Sequence, residues 1–377
     1  MKCADAEIRV CVVNEQEEEE MEKKNILVVF GGVSPEYSVS LESAYAVIKN
    51  LDGEKYRVVP TGISNQGTWF YYTGDMEKIR EDTWCNDTDC IPAVLSPDRN
   101  DHKLLLIEKN GQVGGIPVDL VFPVLHGKGG EDGTVQGLAE LAGIPLAGCG
   151  VLASALCMDK DRAHKLARLS GVRVPRALVL ADRKESRKAA VFAESTGYPV
   201  FVKPVRAGSS YGITRVVTEE QLSFAIALAF SYDDQVIVEE EITGFEVGCA
   251  VLGGRELLVG EVDEIELSGG FFDFTEKYTL KTSAIHVPAR IEREMAARIQ
   301  MCAKKIYRAL GCSGFARVDF FLTPEGEVVF NEVNTIPGFT EHSRYPAMMK
   351  AAGLAFGEVL DKIIAQALGE GSDAGKK

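Results

Sequence analysis

Short apolar runs that end in glycine-rich loops mark the first third of the chain. Ile26 to Phe30 is such a run, as expected for a strand buried on both faces of a parallel sheet. A Gly-Gly loop follows it, and Ser38 to Leu51 then has the periodicity of a helix. Val118 to Leu125 repeats the pattern and precedes a predicted helix over Thr134 to Ala142. These segments predict a doubly wound α/β domain, in which ligands lie at the carboxyl ends of the strands.

Two segments between those runs, Arg57 to Ile63 and Thr68 to Thr73, have the composition of strands and are expected to form a small insertion. A short strand over Pro145 to Gly148 would end the domain near Gly150. The first strand lacks the G-x-G-x-x-G sequence of dinucleotide-binding folds. A nicotinamide-dependent dehydrogenase is therefore disfavoured, and absence of an NADH-linked absorbance change would exclude it.

The middle of the chain predicts a second domain, a helix-covered antiparallel sheet. Val151 to Ser170 and Glu219 to Phe230 are helical, and Gln235 to Ile242 is a strand rich in acids. Between two predicted strands, Arg206 to Gly212 offers backbone N–H groups and hydroxyls to a phosphate, with Lys203 at its base. Taken alone, this loop is better explained as a surface hairpin turn.

The last third holds the most informative segment, a predicted β-hairpin from Phe315 to Asn334, joined by a Thr-Pro-Glu-Gly turn. Arg317 and Asp319 alternate on the first arm, and Glu332 and Asn334 alternate on the second. All four share one face if the loop contains an even number of residues, and an odd number would split them. Two carboxylates and an amide on an apolar hairpin predict a Mg²⁺ site. The alternative is a salt-bridged hairpin on a solvated face.

Composition limits the class of partner. The 377-residue chain, with 46% hydrophobic and 26% charged residues, is long enough for two or three globular domains. A net charge of −15 argues against a nucleic-acid or anionic-membrane partner. Nine cysteines without a C-x-x-C pair indicate reduced thiols, and so a cytoplasmic location. The first residues end in an acidic run and do not resemble a targeting signal.

In their order and spacing, these motifs resemble the D-alanine–D-alanine ligase family of the ATP-grasp superfamily. The resemblance covers roughly Asn25 to Leu368 and is carried by GGVSPEYSVSLES, VFPVLHGKGGEDGTVQG, CMDKDRAHK, YPVFVKPVRAGSSYG, EKY, GFARVDFF and NEVNTIPGFTEHS. FFDFTEKYTLK, VDEIELSGG and HSRYPAMM are similar to the VanG type of D-alanine–D-serine ligase.

The fold that the resemblance implies combines α/β and α+β parts, with an ATP-grasp fold after an N-terminal doubly wound domain. The expected divisions are a disordered extension (1–24), an N-terminal substrate domain (25–150), a central lid domain (151–244), a C-terminal catalytic domain (245–368) and a flexible tail (369–377).

The resemblance implies that ATP binds between the second and third domains with two Mg²⁺ ions, which Mn²⁺ could replace. The implied nucleotide contacts are Lys160, Lys203, Ser209, Ser210, Glu239, Glu246 and Lys277. The implied metal ligands are Asp319, Glu332 and Asn334. The family is expected to form homodimers.

The resemblance also implies roles around the amino-acid substrates. Glu36 would bind the ammonium group of the first D-alanine, with Ser209 and Tyr278 closing that site and His126 nearby. Arg317 and the N–H of Gly338 would stabilise the oxyanion. Ser343 would bind the carboxylate of the second substrate.

Two positions bear on the second substrate. Tyr278 stands where D-lactate ligases of the resistance type are expected to carry histidine, so an ester product is disfavoured. Arg344 stands where D-alanine ligases more often carry an apolar residue, and its side chain could hydrogen-bond the hydroxyl of D-serine. Because Arg344 also occurs with the lactate pattern, it does not decide the substrate alone. The prediction is D-alanyl-D-serine synthesis for peptidoglycan precursors and vancomycin resistance, and the alternative is a housekeeping D-alanine–D-alanine ligase.

Other interpretations remain beside this one. A nucleotide-binding sensor on the same fold would lack the metal ligands or Arg317, and all are present. His102, His164 and His286 are expected to be surface or boundary residues. Phe271, Phe272 and Phe274 are equally well explained as core anchors or substrate contacts.

Overall fold

The computed structural model describes residues 23–86, 88–208, 211–267 and 283–370. These residues form three sheets with helices packed against them. Four expected site residues, Ser209, Ser210, Lys277 and Tyr278, lie outside the described residues, as do the three phenylalanines at 271, 272 and 274. None of the helices in the described ranges is long and apolar enough to cross a membrane.

The first sheet has seven strands in the order β6-β5-β4-β3-β2-β1-β7. Its strands are β1 (Lys24–Gly31), β2 (Tyr56–Ile63), β3 (Trp69–Tyr72), β4 (Cys90–Leu95), β5 (Lys103–Ile107), β6 (Val113–Pro117) and β7 (Leu120–Val124). Strand β1 is parallel to both β2 and β7, and β2 to β6 continue the sheet in antiparallel pairs. The expectation of a small insertion was therefore wrong, because β2 is a central strand of the main sheet.

Helices α1 (Tyr37–Asn50), α2 (Glu77–Arg80) and α3 (Thr134–Ala142) accompany this sheet. The predicted strand over Pro145 to Gly148 is reduced to one bridge between Val121 and Leu146. The predicted helix over Val151 to Ser170 is divided into α4 (Val151–Met158) and α5 (Lys160–Leu169). Asp159 interrupts it with an extended backbone, and its carboxylate accepts a hydrogen bond from the N–H of Arg162, which caps α5.

The second sheet has four strands in the order β10-β9-β11-β8, and every pair is antiparallel, as predicted. Its strands are β8 (Ala177–Leu180), β9 (Val200–Pro204), β10 (Thr214–Val216) and β11 (Val236–Glu240). Helices α6 (Ser186–Thr196) and α7 (Glu219–Ala229) bury its apolar face.

The third sheet contains the hairpin. Its strands are β12 (Phe245–Gly253), β13 (Leu257–Val259), β14 (Asp263–Leu267), β15 (Ser283–His286), β16 (Phe315–Leu322) and β17 (Val328–Asn334). They follow the order β15-β14-β12-β16-β17, with β13 paired to β12. Helices α8 (Arg293–Ala309), α9 (Arg344–Ala351) and α10 (Phe356–Leu368) accompany this sheet.

A shared core joins the first and third sheets. Ile26, Phe30 and Phe122 of the first sheet belong to the same buried cluster as Phe315 of β16 and Met348 of α9. The carboxyl end of β1 is thereby held beside the hairpin, so that residues far apart in sequence meet at one site.

Candidate active site

A β-bulge determines which residues of the hairpin share a face. Leu322 pairs with Val328, so the loop contains the five residues 323–327. This odd number would place Glu332 on the face opposite to Asp319. The register shifts within the hairpin: Phe320 pairs with Phe330, but Asp319 pairs with Glu332. Asn331 is therefore the extra residue of a β-bulge. The bulge therefore restores the shared face that an odd loop would otherwise have split.

Arg317 and Asn334 pair across the same face and hold the carboxylate of Asp319. Nε of Arg317 donates to Oδ1 of Asp319 at 2.8 Å, and Nη2 donates to Oδ2 at 2.7 Å. Nδ2 of Asn334 donates to Oδ2 of Asp319 at 2.9 Å, and the amide oxygen of Asn334 is an acceptor that this bond does not use. Because Asp319 is only 2% exposed, the cationic neighbour is what makes burial of its charge tolerable.

A second arginine approaches this carboxylate from α9. Nε and Nη2 of Arg344 donate to the two oxygens of Asp263 at 2.6 and 2.8 Å, and Nη2 lies 3.4 Å from Oδ1 of Asp319. Burial acts against the guanidinium charge, but Asp263 and Asp319 raise the pKa of Arg344 above its ordinary value. Sequence reasoning selected Arg344 but missed Asp263, since an aspartate in an acidic strand gives no signal of a partner 81 residues away.

Gly248 of β12 makes room for this cluster. A Cβ atom at that position would lie 2.7 Å from Oδ1 of Asp263 and 2.9 Å from Oδ1 of Asp319, and would overlap the guanidinium of Arg344. A strand glycine often marks such a close approach. Asp263, Asp319 and Arg344 can meet here because Gly248, at the intervening position of β12, has no side chain.

The lysines implied for nucleotide binding each approach a carboxylate, Glu332 in the case of Lys160 and Glu239 in the case of Lys203. Nζ of Lys160 donates to the carbonyl of Ala207 at 2.7 Å and lies 3.7 Å from Oε2 of Glu332. Nζ of Lys203 donates to Oε2 of Glu239 at 2.7 Å. Burial opposes the charge of Glu239, yet the ammonium of Lys203 holds the pKa of that carboxyl below its ordinary value. The structure thus joins Lys160, the loop at Ala207 and the hairpin, with Lys203 and Glu239 beside them on neighbouring strands.

His164 is not a surface or boundary residue, and that expectation was wrong. The residue is 5% exposed, and its ring lies between the hairpin and Glu239. Since a carbonyl can only accept, Nε2 of His164 donates to the carbonyl of Asn331, at 2.7 Å. His102 is exposed and His286 is partly exposed beside Glu266, as expected for both.

Glu36 comes from the loop after β1 and is buried between two glycines. A Cβ at Gly208 would lie 2.9 Å from Oε2 of Glu36, and one at Gly127 would overlap the same oxygen. Glu36 therefore reaches both the loop after β7 and the loop of the second sheet that contains Ala207 and Gly208. Its carboxylate lines one cavity with Glu131, Lys160, Glu332 and Asn334.

Two side chains from the loop after β7 hold the backbone of Ile336. Nδ1 of His126 donates to the carbonyl of Ile336 at 2.8 Å, and the N–H of Ile336 donates to Oε1 of Glu131 at 3.0 Å. Nε2 of His126 lies 3.2 Å from the hydroxyl of Ser43, which accepts the N–H of Phe339. Both ring nitrogens of His126 are thus engaged, and burial lowers its pKa, so the ring is neutral and supports the 335–339 loop. The sequence did not indicate a role for Glu131, because its carboxylate binds the backbone N–H of Ile336, and such a contact has no sequence signature.

Gly338 and Ser343 lie together at the end of that loop. A Cβ at Gly338 would lie 3.0 Å from Oγ of Ser343. The hydroxyl of Ser343 accepts the N–H of Thr340 at 3.0 Å, and Ser343 precedes the first turn of α9. The first N–H groups of a helix attract a carboxylate, which is the role the resemblance implies for Ser343.

The chemistry of the hairpin residues fits Mg²⁺. The described residues contain no cluster of three or more His, Cys, Asp and Glu side chains with metal-binding geometry. The hairpin offers a different set, two carboxylates and one amide on a single face, with Lys160 beside Glu332. Oxygen donors of this kind, completed by phosphate oxygens, are what Mg²⁺ prefers. Glu246, the expected ribose contact, lies on β12 opposite Phe321 of the same hairpin.

Known proteins share both halves of this architecture. The model of the D-ala D-ala ligase N-terminus matches residues 25–149, and that of the D-ala D-ala ligase C-terminus matches residues 168–365. The crystal structure of the VanG D-Ala:D-Ser ligase from Enterococcus faecalis is 58% identical, with a TM-score of 0.85, and the match covers 92% of this chain and 100% of that chain.

Two further relatives are a vancomycin resistance protein and a ligase named for D-lactate. The vancomycin C-type resistance protein VanC1 of Enterococcus gallinarum is 44% identical over 348 residues, covering 91% of this chain and 98% of that protein. A putative D-alanine–D-lactate ligase of Streptomyces coelicolor is 46% identical over 353 residues, covering 92% of this chain and 99% of the relative. Overall similarity at this level is therefore shared among proteins with different second substrates.

Proposed function

The chain belongs to the D-alanine–D-alanine ligase family, with an ATP-grasp fold, and from that premise we propose that it joins D-alanine to D-serine in an ATP-dependent reaction. The dipeptide would serve peptidoglycan precursors in which D-serine replaces the terminal D-alanine, as in vancomycin resistance. The observation that carries the ligase proposal is the convergence of Glu36, Lys160, Arg317 and the Asp319–Glu332–Asn334 face on one site.

The first step activates a carboxylate that does not react with an amine unaided. We propose that the ammonium group of D-alanine pairs with Glu36, which directs its carboxylate toward the phosphates of ATP. An oxygen of that carboxylate attacks the γ-phosphorus, the bond to ADP breaks, and a D-alanyl phosphate forms. Lys160 and Lys203 would offset the charge of the transferring group. The fragility of an acyl phosphate in water gives the surrounding loops a protective purpose.

The second step forms the peptide bond. The amine of the second amino acid attacks the acyl carbon and loses a proton, and inorganic phosphate leaves. Negative charge develops on the acyl oxygen, and Arg317 with the N–H of Gly338 would stabilise it. Ser343 and the first turn of α9 would hold the carboxylate of the incoming amino acid.

Asp319, Glu332 and Asn334 would hold Mg²⁺, for which Mn²⁺ could substitute. When bound, the metal would neutralise charge on the nucleotide phosphates. Arg317 holds the carboxylate of Asp319 in place from the first arm of the hairpin. The amide of Asn334 does the same from the second arm.

Three observations support D-serine as the second substrate. The VanG D-Ala:D-Ser ligase is 58% identical in sequence over 92% of this chain. Arg344 carries a polar group at the start of α9, directly after Ser343. Asp263 fixes that guanidinium, so the polar group would be preorganised rather than mobile. A buried polar group placed to meet a substrate hydroxyl penalises the analogue that lacks it.

The proposal is tested by measuring ADP release from ATP, Mg²⁺ and D-alanine, with and without D-serine, and by identifying the product by mass. Dominant D-alanyl-D-serine at neutral pH supports the proposal. D-alanyl-D-alanine alone would retain the ligase activity but refute D-serine as substrate. Neither product would refute the ligase activity itself. A D-lactate arm in the same assay tests the ester product that the relative from Streptomyces suggests.

A further inference from the structure

The bulge at Asn331 is held from outside the hairpin. Asn331 is the one residue of β17 that separates the Phe320–Phe330 register from the Asp319–Glu332 register. Its carbonyl accepts a hydrogen bond of 2.7 Å from Nε2 of His164, a side chain of α5 that is 167 residues away in sequence. The ring of His164 also packs edge-on against Phe330, with ring centroids 5.5 Å apart.

The consequence of losing this bulge is specific. Without the extra residue, the side chains of β17 beyond Phe330 would change faces, because side chains alternate along a strand. Glu332 and Asn334 would then point away from Asp319, and the two carboxylates would no longer meet. A contact that stabilises the bulge therefore determines the orientation of the proposed metal ligands Glu332 and Asn334, although it does not involve their side chains.

We propose that His164 is a positioning residue whose Nε2–H holds the Asn331 carbonyl and thereby keeps Glu332 and Asn334 on the face of Asp319. The proposal rests on the proposed function, in which that face binds Mg²⁺. Contacts of this kind orient the ligands of a metal site, and their loss typically weakens metal affinity by about ten- to a hundredfold.

The two ring nitrogens of His164 make different contacts, Nε2 with Asn331 and Nδ1 with Glu239. Nδ1 of His164 lies 3.4 Å from Oε1 of Glu239, and neither atom has a hydrogen-bond partner among the described residues. Burial lowers the pKa of the ring although Glu239 acts in the opposite direction, so a neutral ring carries its proton on Nε2. The contact with Asn331 is therefore the hydrogen bond, and the contact with Glu239 is only proximity.

Three substitutions divide the ring's functions. In His164→Gln the amide nitrogen can occupy the position of Nε2 and keep the bond to Asn331. In His164→Asn the shorter amide reaches only the position of Nδ1, and in His164→Phe the ring shape remains without any donor. Lys165→Gln, an exposed change on the same helix, serves as the control.

Metal binding is measured without turnover by titrating Mn²⁺ in the presence of a non-hydrolysable ATP analogue, followed by electron paramagnetic resonance. A blank with the analogue alone is subtracted. We expect His164→Asn and His164→Phe to weaken Mn²⁺ binding about tenfold or more, and His164→Gln to remain close to the parent chain. The Mg²⁺ concentration for half-maximal ligase activity should shift in the same order.

Two results would overturn the proposal. The first is unchanged Mn²⁺ affinity in folded Asn and Phe variants with lowered melting temperatures, which would indicate a structural role alone. The second is a Gln variant as defective as the Phe variant, which would exclude the Nε2 bond as the cause. If the parent chain shows no ligase turnover, the proposed function fails, but the Mn²⁺ titration still decides the role of His164.

Discussion

Arg344 and Asp263 form a buried ion pair through two parallel hydrogen bonds of 2.6 and 2.8 Å. Asp263 is fully buried, and the same guanidinium lies 3.4 Å from Asp319 of the proposed metal face. The pair therefore connects the helix that follows Ser343 with β14, and the same guanidinium lies beside the metal face on β16. A change at Arg344 acts on second-substrate recognition and on local stability together, and experiments have to separate the two effects.

Arg344→Leu should reduce the preference for D-serine over D-alanine, because the side chain can no longer meet a substrate hydroxyl. It should also destabilise the protein by about 3–5 kcal/mol, since the Asp263 carboxylate is left buried without its cation. Turnover with each amino acid and urea unfolding measure the two effects separately.

The matched control is Arg344→Lys, which keeps the charge but cannot bind Asp263 through a planar fork. The double variant Arg344→Leu with Asp263→Asn removes the orphaned carboxylate and should recover part of the stability. If the D-serine preference of folded Arg344→Leu equals that of the parent, the role of Arg344 in specificity is refuted.

Arg317→Ala should lower turnover at least ~10²-fold, because the oxyanion loses its donor in the transition state. ATP binding should fall far less, by what the loosened Asp319 carboxylate contributes to holding the metal. Steady-state kinetics and nucleotide titration measure the two quantities. Arg168→Ala, an exposed position on α5, is the control. Turnover in Arg317→Ala at the level of the control would remove Arg317 from the mechanism.

Gly248→Ala should strongly reduce both stability and activity, because the new methyl group overlaps the guanidinium of Arg344 and crowds Asp263 and Asp319. Gly53→Ala is its control, since a Cβ at Gly53 has no atom within 4 Å among the described neighbours. Thermal unfolding and ligase assays on both variants test this. A Gly248→Ala protein as stable and active as Gly53→Ala would contradict the close approach.

Glu131 should make the stability depend on pH. Burial, aided by the charge of Glu36, raises the pKa of Glu131 to about 8 from an ordinary 4.5, although two backbone N–H donors act in the opposite direction. Between these values the unfolded chain releases a proton that the folded chain keeps, so the free energy of unfolding falls as pH rises from about 5 to 8.

Glu131→Gln removes this titration, so the free energy of unfolding of the parent should fall relative to that of the variant as pH rises over that range. Urea unfolding of both proteins at several pH values measures it, and the contributions of His126 and His164 largely cancel in the difference. A difference that stays constant from pH 5 to 8.5 would show that Glu131 keeps its ordinary pKa.

Local pattern determined much of the fold. Hydrophobic period and turn composition predicted the strand at Ile26 to Phe30 and the antiparallel pairs of the second sheet. They also predicted the helix at Thr134 to Ala142 with the bounds that the structure has. Strands β4 to β6 were not predicted from the sequence. Their short stretches between polar turns carry a weak signal, and they are stabilised by successive pairing of β4 with β3, β5 with β4 and β6 with β5.

The candidate site divides in the same way. The sequence by itself determined the types and order of the residues: two carboxylates and an amide on a hairpin, lysines near a glycine-rich loop, and Glu36 after the first strand. Only the tertiary structure decided that an odd loop is corrected by a bulge at Asn331, that Arg344 is held by Asp263, and that His164 is buried against the hairpin. The reason is physical: residue type and local period are properties of neighbours in sequence. Register, ion pairing and burial depend on contacts between distant segments, 167 residues apart in the case of His164 and Asn331.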